Sequence, residues 1–185
     1  MCKICEKKPV YEFTNGRKVC KNCFIRWFNK KVLYTIRKFK MFKKNDKICF
    51  KKSNDFRGVV LEEVLKFYET KAPVEVVSGK KKFTKIAHAA SSDMNAVAGV
   101  NAIINFNINE VEFSLKQLKP VVGNVVFPLF LFLDKEIKLY ADLKKLKYKK
   151  LKSEKNKIAD LINELEKKHP EIKHSIVNSL IEINS

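Results

Sequence analysis

Four of the chain's five cysteines lie in its first 23 residues, as two C-x2-C pairs: Cys2 with Cys5, and Cys20 with Cys23. Each pair bends the backbone so that both sulfurs point to one centre, and two pairs together supply the four thiolates of a tetrahedral zinc site. Such a site is closed, so we expect a structural Zn²⁺ rather than a catalytic one. The alternative is two disulfides, which would require an oxidising compartment for which the sequence gives no sign.

The residues around these pairs predict the elements that position them. Val10 to Thr14 alternate in polarity, Asn15-Gly16 is the favoured type I′ turn, and Arg17 to Cys20 return, so a β-hairpin brings the pairs together. A helix is predicted from Phe24 to Met41, because apolar residues recur there at helical spacing. This apolar stripe consists of Ile25, Phe28, Val32, Ile36 and Phe39.

The charge of the chain indicates a polyanionic partner. Its 185 residues include 39 Lys and Arg against 20 Asp and Glu, a formal net charge of +19. Such a charge favours RNA, DNA or an anionic membrane surface, and the spread of the lysines makes the membrane the weakest of these. Lysine far outnumbers arginine, which favours contacts to the phosphate backbone over the reading of bases. An AT-rich codon bias would explain the choice of lysine over arginine, but not the net charge.

The candidate RNA contacts are basic residues in four places: the hairpin, the open face of the first helix, a basic turn, and a lysine-rich run near the C-terminus. A solvated basic face is the alternative for any one of them. They are Arg17 and Lys18; Arg26, Lys30, Arg37 and Lys44; Lys80, Lys81 and Lys82; and Lys144, Lys145 and Lys147.

The middle of the chain predicts an α/β sheet with parallel strands, because strand and helix patterns alternate there. Strands are expected at Lys47–Phe50, Val74–Val77 and Phe83–Ala87, and helices at Val59–Thr70 and Met94–Asn105. Beyond Pro120 the pattern is mostly helical, with a helix from Lys135 to Lys150, a striped helix over Ile158–Leu165 and a last one opened by Pro170. The apolar segment Val121–Leu133 is too short to span a bilayer and indicates a buried segment.

These patterns divide the chain into four regions: a zinc-binding module over 1-23, a basic helix over 24-45, a reduced α/β domain over 46-133, and a Lys-rich helical region over 134-185. The chain opens directly on the first cysteine pair, with no signal peptide ahead of it. We therefore expect a cytoplasmic protein with reduced thiols and no membrane contact.

Three stretches of the sequence resemble the TtcA-like PP-loop ATPases that thiolate tRNA: Cys2–Phe42, Leu133–Ala141 and Leu165–Ser175. The resemblance implies a truncated PP-loop sheet, similar to adenine nucleotide alpha hydrolases. It also implies an N-terminal four-cysteine zinc ribbon, a helical C-terminal part and tRNA as partner.

The resemblance fails at the motifs that carry the family's chemistry. The nucleotide loop S-G-G-x-D-S falls on Ser53 to Gly58, where only Ser53 matches and Asn54 and Asp55 replace the glycines that let the backbone approach phosphate. The second motif, A-H-N-x-D-D, falls on Ala89 to Met94 and keeps only Asp93. Cys49 is the one cysteine outside the N-terminal pairs, and a lone thiol cannot ligate an iron–sulfur cluster.

From these losses we expect a degenerate active site and a protein that is not an enzyme. The function predicted from the sequence is non-catalytic binding of structured RNA: tRNA itself, or a tRNA site on the ribosome, as a ribosome-associated or dormancy-type factor. The alternative is a tRNA 2-thiolation enzyme subunit that a partner completes. A third possibility is a structural subunit that uses Val121–Leu133 as a protein interface.

Overall fold

The computed structural model describes residues 1–77, 81–105, 108–150 and 156–184. In chain order the strands are β1 (Tyr11–Glu12), β2 (Lys18–Val19), β3 (Lys47–Phe50), β4 (Glu75–Val76), β5 (Lys85–Ala87), β6 (Val121–Val122) and β7 (Val125–Val126). The helices are α1 (Lys21–Lys38), α2 (Phe56–Glu69), α3 (Ser92–Asn105), α4 (Ile108–Gln117), α5 (Asp134–Leu143), α6 (Lys157–Lys168) and α7 (Ile172–Ile183).

The predicted α/β sheet is confirmed. Its five strands lie in the order β4-β3-β5-β7-β6. The pairs β3–β4, β3–β5 and β5–β7 are parallel, whereas the edge strand β6 pairs antiparallel with β7 across a turn in which Gly123 has a φ of 59°. The chain leaves β3 toward one edge of the sheet and returns at β5 on its other side. The carboxyl ends of β3 and β5 therefore form a topological switch point, where open α/β sheets bind ligands.

The predicted N-terminal hairpin is confirmed, but its turn type is wrong. Tyr11 pairs with Val19 in an antiparallel ladder. The N–H of Gly16 donates to the carbonyl of Phe13 at 2.8 Å, and the N–H of Phe13 donates to the carbonyl of Arg17 at 3.0 Å. Gly16 alone in this loop has a positive φ, 74°, whereas a type I′ turn needs positive φ at two residues. The loop is therefore a longer one that ends in a left-handed glycine.

The first helix begins and ends earlier than the apolar stripe indicates. Cys20 precedes its first residue and Cys23 lies within its first turn, so the second cysteine pair is part of the helix start. The helix stops at Lys38 because Lys40 adopts a left-handed φ of 48°, and the N–H of Met41 then bonds back to the carbonyl of Ile36. Lys44 therefore does not lie on this helix, contrary to the predicted basic face.

Two other predicted boundaries are wrong, and one helix was not predicted. α2 begins at Phe56 rather than Val59, because Asp55 caps it. α4 has no counterpart in the prediction. α5 ends at Leu143 rather than near Lys150, since Lys145 turns left-handed with a φ of 57° and the N–H of Lys149 bonds to the carbonyl of Asn54 at 2.6 Å.

The hairpin, α1 and the sheet share one hydrophobic core. This core runs from Cys2 and Val19 through Phe28 of α1 to Leu61 of α2 and Tyr140 of α5. Val126, Leu129, Phe130, Phe132 and Leu133 are all buried, so this part of the segment predicted to be buried is buried in the chain's own interior and not free as a protein interface. Within the described ranges, no helix is both long and apolar enough to span a bilayer.

Candidate metal centre and basic surface

The four N-terminal cysteines converge on one point. Their Sγ atoms all lie within 4.8 Å of one another. Cys5 Sγ lies 3.7 Å from that of Cys2, 3.3 Å from that of Cys20 and 3.6 Å from that of Cys23. Four sulfurs bound at about 2.3 Å to one tetrahedral ion lie about 3.8 Å apart, so the cluster has the dimensions of a site for a single metal ion.

The electrostatics of the cluster also call for a cation. Burial and, to a smaller extent, the neighbouring sulfurs of Cys5, Cys20 and Cys2 together raise the pKa of the Cys23 thiol to about 12. Four thiolates this close repel one another unless a positive ion lies among them. The donor set and its spacing therefore fit a metal bound by Cys2, Cys5, Cys20 and Cys23.

Three of the predicted RNA contacts lie together beside this cluster. Arg17, Arg26 and Lys30 line a cavity of about 180 Å³ that Cys23 and Trp27 also line. Arg17 is additionally held over the ring of Phe13, with its guanidinium carbon 4.5 Å from the ring centroid. In the part of the chain that the structure describes, none of these three cations has a carboxylate within salt-bridge distance. They form a positively charged surface, which we call the α1 basic surface.

The remaining predicted contacts are dispersed. Arg37 is exposed on the last turn of α1, and Lys44, Lys81 and Lys82 are exposed in connecting segments, while Lys80 lies outside the described residues. Lys145 and Lys147 are exposed in the irregular segment after α5. Two predicted contacts are ion-paired: Lys18 lies 3.3 Å from Glu12, and Lys144 lies 2.9 Å from Glu63.

A cleft of about 500 Å³ lies where helices follow the carboxyl ends of the parallel strands. Arg57 of α2 forms a bidentate ion pair with Asp134 of α5 on its wall. Asp93 of α3 accepts from the N–H of Asp134 at 2.8 Å and from Nζ of Lys173 at 2.6 Å. Lys173 also contacts Glu166 at 2.6 Å, so both cations of the wall are neutralised by carboxylates.

Lys173 stays protonated although it is buried. Burial lowers the pKa of this lysine, but the hydrogen bonds and charges of Asp93 and Glu166 outweigh that effect, so its pKa is raised. Its side chain is 7% exposed, and the ion pairs connect α7 with α3 and α6 across the cleft. Lys173, Arg57 and Asp134 were not predicted as site residues, since only the folded chain brings them to Asp93.

The loop after β3 places the carboxylate of Asp55 at the N-terminus of α2, where the free backbone amides of a helix attract anions. Asp55 accepts hydrogen bonds from the backbone N–H groups of Arg57 and Gly58, at 2.8 and 3.0 Å, and Ser53 donates to its other oxygen. Burial raises the pKa of Asp55, but these hydrogen bonds outweigh it and lower the pKa overall. The amides at the start of α2 are therefore satisfied by the chain itself, as the substitutions in the sequence indicate.

The structure is similar to a solved tRNA-modifying enzyme. It matches the U34-tRNA thiolase NcsA from Methanococcus maripaludis, solved with its [4Fe-4S] cluster, with a TM-score of 0.81 and 20% sequence identity. The match covers 99% of this chain and 86% of that one. No family model matches the chain, and no curated protein matches it. The chain therefore has an α/β fold with an N-terminal four-cysteine cluster and a helical C-terminal part, as in a PP-loop thiolase.

This match contradicts the prediction that the protein is not an enzyme. The prediction took the altered motifs and the missing cysteines as loss of the active-site groups, but nearly the whole chain has the fold of a thiolase. A loss of activity does not follow from the altered loop, because the cleft still carries charged groups from four helices.

Proposed function

We propose that the protein binds tRNA through the α1 basic surface, held in shape by a structural zinc ion. The observation that carries this proposal is the grouping of Arg17, Arg26 and Lys30, unpaired with carboxylates among the described residues, around the four-cysteine cluster. Backbone phosphates are the ligands that such a group of exposed cations attracts. The fold that the chain shares with a tRNA thiolase supports tRNA as the RNA concerned.

The experiment is tRNA binding measured by filter retention across a salt series. The double variant R26A/K30A removes two phosphate contacts, so we expect weaker binding and a salt slope reduced by about 1.5 to 2. The control is K47A/K66A, which removes the same charge from two exposed lysines already paired with Glu75 and Glu62. Equal losses in the two double variants would contradict the proposal, as would the absence of tRNA binding by the wild type at low salt.

We propose zinc as the ion because four thiolates this close suit one tetrahedral metal. In a [4Fe–4S] cluster each cysteine ligates a different iron, so the sulfurs lie around a cage rather than a single ion. Elemental analysis of the purified protein is expected to give one zinc per chain. Stoichiometric iron with visible absorption would overturn this assignment.

The proposal places the protein in the cytoplasm, where the thiols stay reduced and tRNA is available. A tRNA site on the ribosome presents the same kind of phosphate surface and is the second RNA to test. Co-sedimentation with ribosomes, lost in R26A/K30A, would identify that site as the target. Recovery of free tRNA alone from native extract would favour tRNA itself.

A second candidate function is a subunit of a tRNA 2-thiolation enzyme. The cleft at the switch point, with Asp93 still at the place of the family's second motif, favours it. A protein partner would supply groups for ATP and sulfur, because Asp55 occupies the amides at the start of α2 and Cys49 is the one cysteine outside the cluster. Loss of 2-thiouridine from tRNA on gene deletion, measured by mass spectrometry, would support this candidate; unchanged 2-thiouridine would exclude it.

A further inference from the structure

A groove of about 510 Å³ lies between α1 and α2, next to the α1 basic surface. This volume is within the range of about 300–1,000 Å³ typical of small-ligand sites. Its lining combines three chemistries: apolar side chains, carboxamides and cations. Each of these corresponds to one part of a nucleotide.

The apolar part of the groove consists of Ile25 and Leu33 of α1 and Phe67 of α2. All three are partly buried, so they are packed in place and still present surface to the groove. Nζ of Lys71 lies 5.9 Å from the centroid of the Phe67 ring, which adds positive charge beside an aromatic side chain. An aromatic ring in such a place stacks on nucleobases of any sequence.

The carboxamides of Asn22 and Asn29 supply hydrogen-bonding groups in the same groove. Oδ1 of Asn29 accepts from the hydroxyl of Tyr140 at 3.0 Å, which fixes the amide and leaves its Nδ2 able to donate. Asn22 is exposed, and its side chain makes no hydrogen bond within the described part of the chain. Both are suited to the edge of a base, which offers donors and acceptors to amides.

The cations of the groove are Arg26 and Lys30, one helical turn apart. Both also line the cavity beside the cysteine cluster, so the groove is continuous with the α1 basic surface. The phosphates of an RNA bound to the α1 basic surface would therefore lie along the rim of the groove. The bases of an uninterrupted duplex are stacked inside it, so only an unpaired nucleotide can turn its base toward Phe67.

We propose that this groove binds one unpaired nucleotide of the RNA, with its base against Phe67, its edge at Asn22 and Asn29, and its phosphate at Arg26 and Lys30. This inference rests on the proposed RNA binding and adds to it a preference for RNA with an unpaired loop. The α1 basic surface alone would bind a duplex and a looped RNA of equal phosphate number equally well.

The test compares an RNA hairpin carrying 2-aminopurine in its unpaired loop with a blunt duplex that has the same number of phosphates. We expect the wild type to prefer the hairpin by about 5- to 150-fold, the contribution of one base–aromatic stack. Phe67→Leu keeps an apolar side chain but removes the ring, so it should abolish the preference and leave the duplex affinity unchanged. Phe113→Leu, which alters a ring that is 68% exposed on α4, is the matched control and should leave both affinities unchanged.

The wild type supplies a second measurement that needs no variant. The fluorescence of the loop 2-aminopurine should fall on binding, whereas 2-aminopurine placed in the stem should not change; this result decides the case if Phe67→Leu fails to fold. If both RNAs bind equally and the loop fluorescence is constant, the groove is not a nucleotide site although RNA binding stands. If neither RNA binds at low salt, the proposed function itself is wrong.

Discussion

Nζ of Lys31 in α1 lies 2.9 Å from a carboxylate oxygen of Glu136 in α5, a residue 105 positions later in the chain. Glu136 is 3% exposed, and it also accepts from the N–H of Leu133 at 3.0 Å and from the hydroxyl of Tyr11 at 3.4 Å. One buried carboxylate thus joins the hairpin, α1 and the start of α5. The cysteine module and the α/β sheet are therefore connected by an ionic junction as well as by the shared core.

Replacing Glu136 with alanine should destabilise the protein by about 3–5 kcal/mol, because it leaves the largely buried ammonium of Lys31, 18% exposed, without its carboxylate partner. Urea unfolding measures the change in the free energy of unfolding. The control is Glu62→Ala, which breaks an exposed pair with Lys66 and should cost less than about 1 kcal/mol. Similar costs for the two variants would mean that the Lys31–Glu136 pair contributes no more than a surface pair.

Replacing Cys20 or Cys23 with serine should release the metal and unfold the N-terminal hairpin with the start of α1. A structural zinc ion contributes on the order of 10 kcal/mol to the folding of such a module. Metal analysis and circular dichroism measure both effects. Cys49→Ala is the control, because Cys49 is buried in β3 and its sulfur takes no part in the cluster. Unchanged metal content in the Cys20 variant would refute the assignment of the ligands.

The four-cysteine cluster could be predicted from the sequence because its determinants are local. The spacing of Cys2 and Cys5, and of Cys20 and Cys23, sets the geometry of each pair, and the hairpin between them has its own turn signal. The parallel sheet is also predictable, since strand and helix patterns alternate along the chain. The turn type could not be predicted from Asn15-Gly16 alone. The backbone conformation of Asn15 depends on where the hydrogen-bonded pairing of β1 and β2 ends, which sets the length of the loop.

The cleft could not be predicted because it is built from residues far apart in the chain. Arg57 and Asp134 are separated by 77 positions, and Lys173 reaches Asp93 across 80. Of the residues that line the cleft, only Asp93 was predicted as a site residue, through its place in a motif. The loop after β3 was compared with a motif and not with the residues that surround it in the fold. The sheet behind these residues was predictable, but the ion pairs that join its helices around the cleft depend on the assembled fold.

Asp55 is expected to contribute to stability in a pH-dependent way. Its folded-state pKa is lowered, so its contribution is fully present above its unfolded pKa, near 4, and is lost as the pH falls through the folded value. Asn caps a helix about as well as Asp but carries no charge. Asp55→Asn should therefore be less stable than the wild type at pH 7, and the difference should vanish in acid. A difference that stays constant from pH 7 to about pH 2 would show that the charge of Asp55 plays no part.

Replacing Asp93 with asparagine should lower the stability of the protein without changing its affinity for tRNA. Lys173 would lose one of its two carboxylates but keep Glu166, so we expect a cost of about 1–3 kcal/mol in unfolding free energy. The tRNA affinity should stay within about twofold of wild type, because the cleft is lined by neither Arg26 nor Lys30 and its own cations are paired. Ser53→Ala should likewise leave the affinity unchanged. Filter binding and urea unfolding on the same preparations measure both quantities. A large loss of tRNA affinity in a folded Asp93→Asn protein would place the RNA at the cleft instead of at α1.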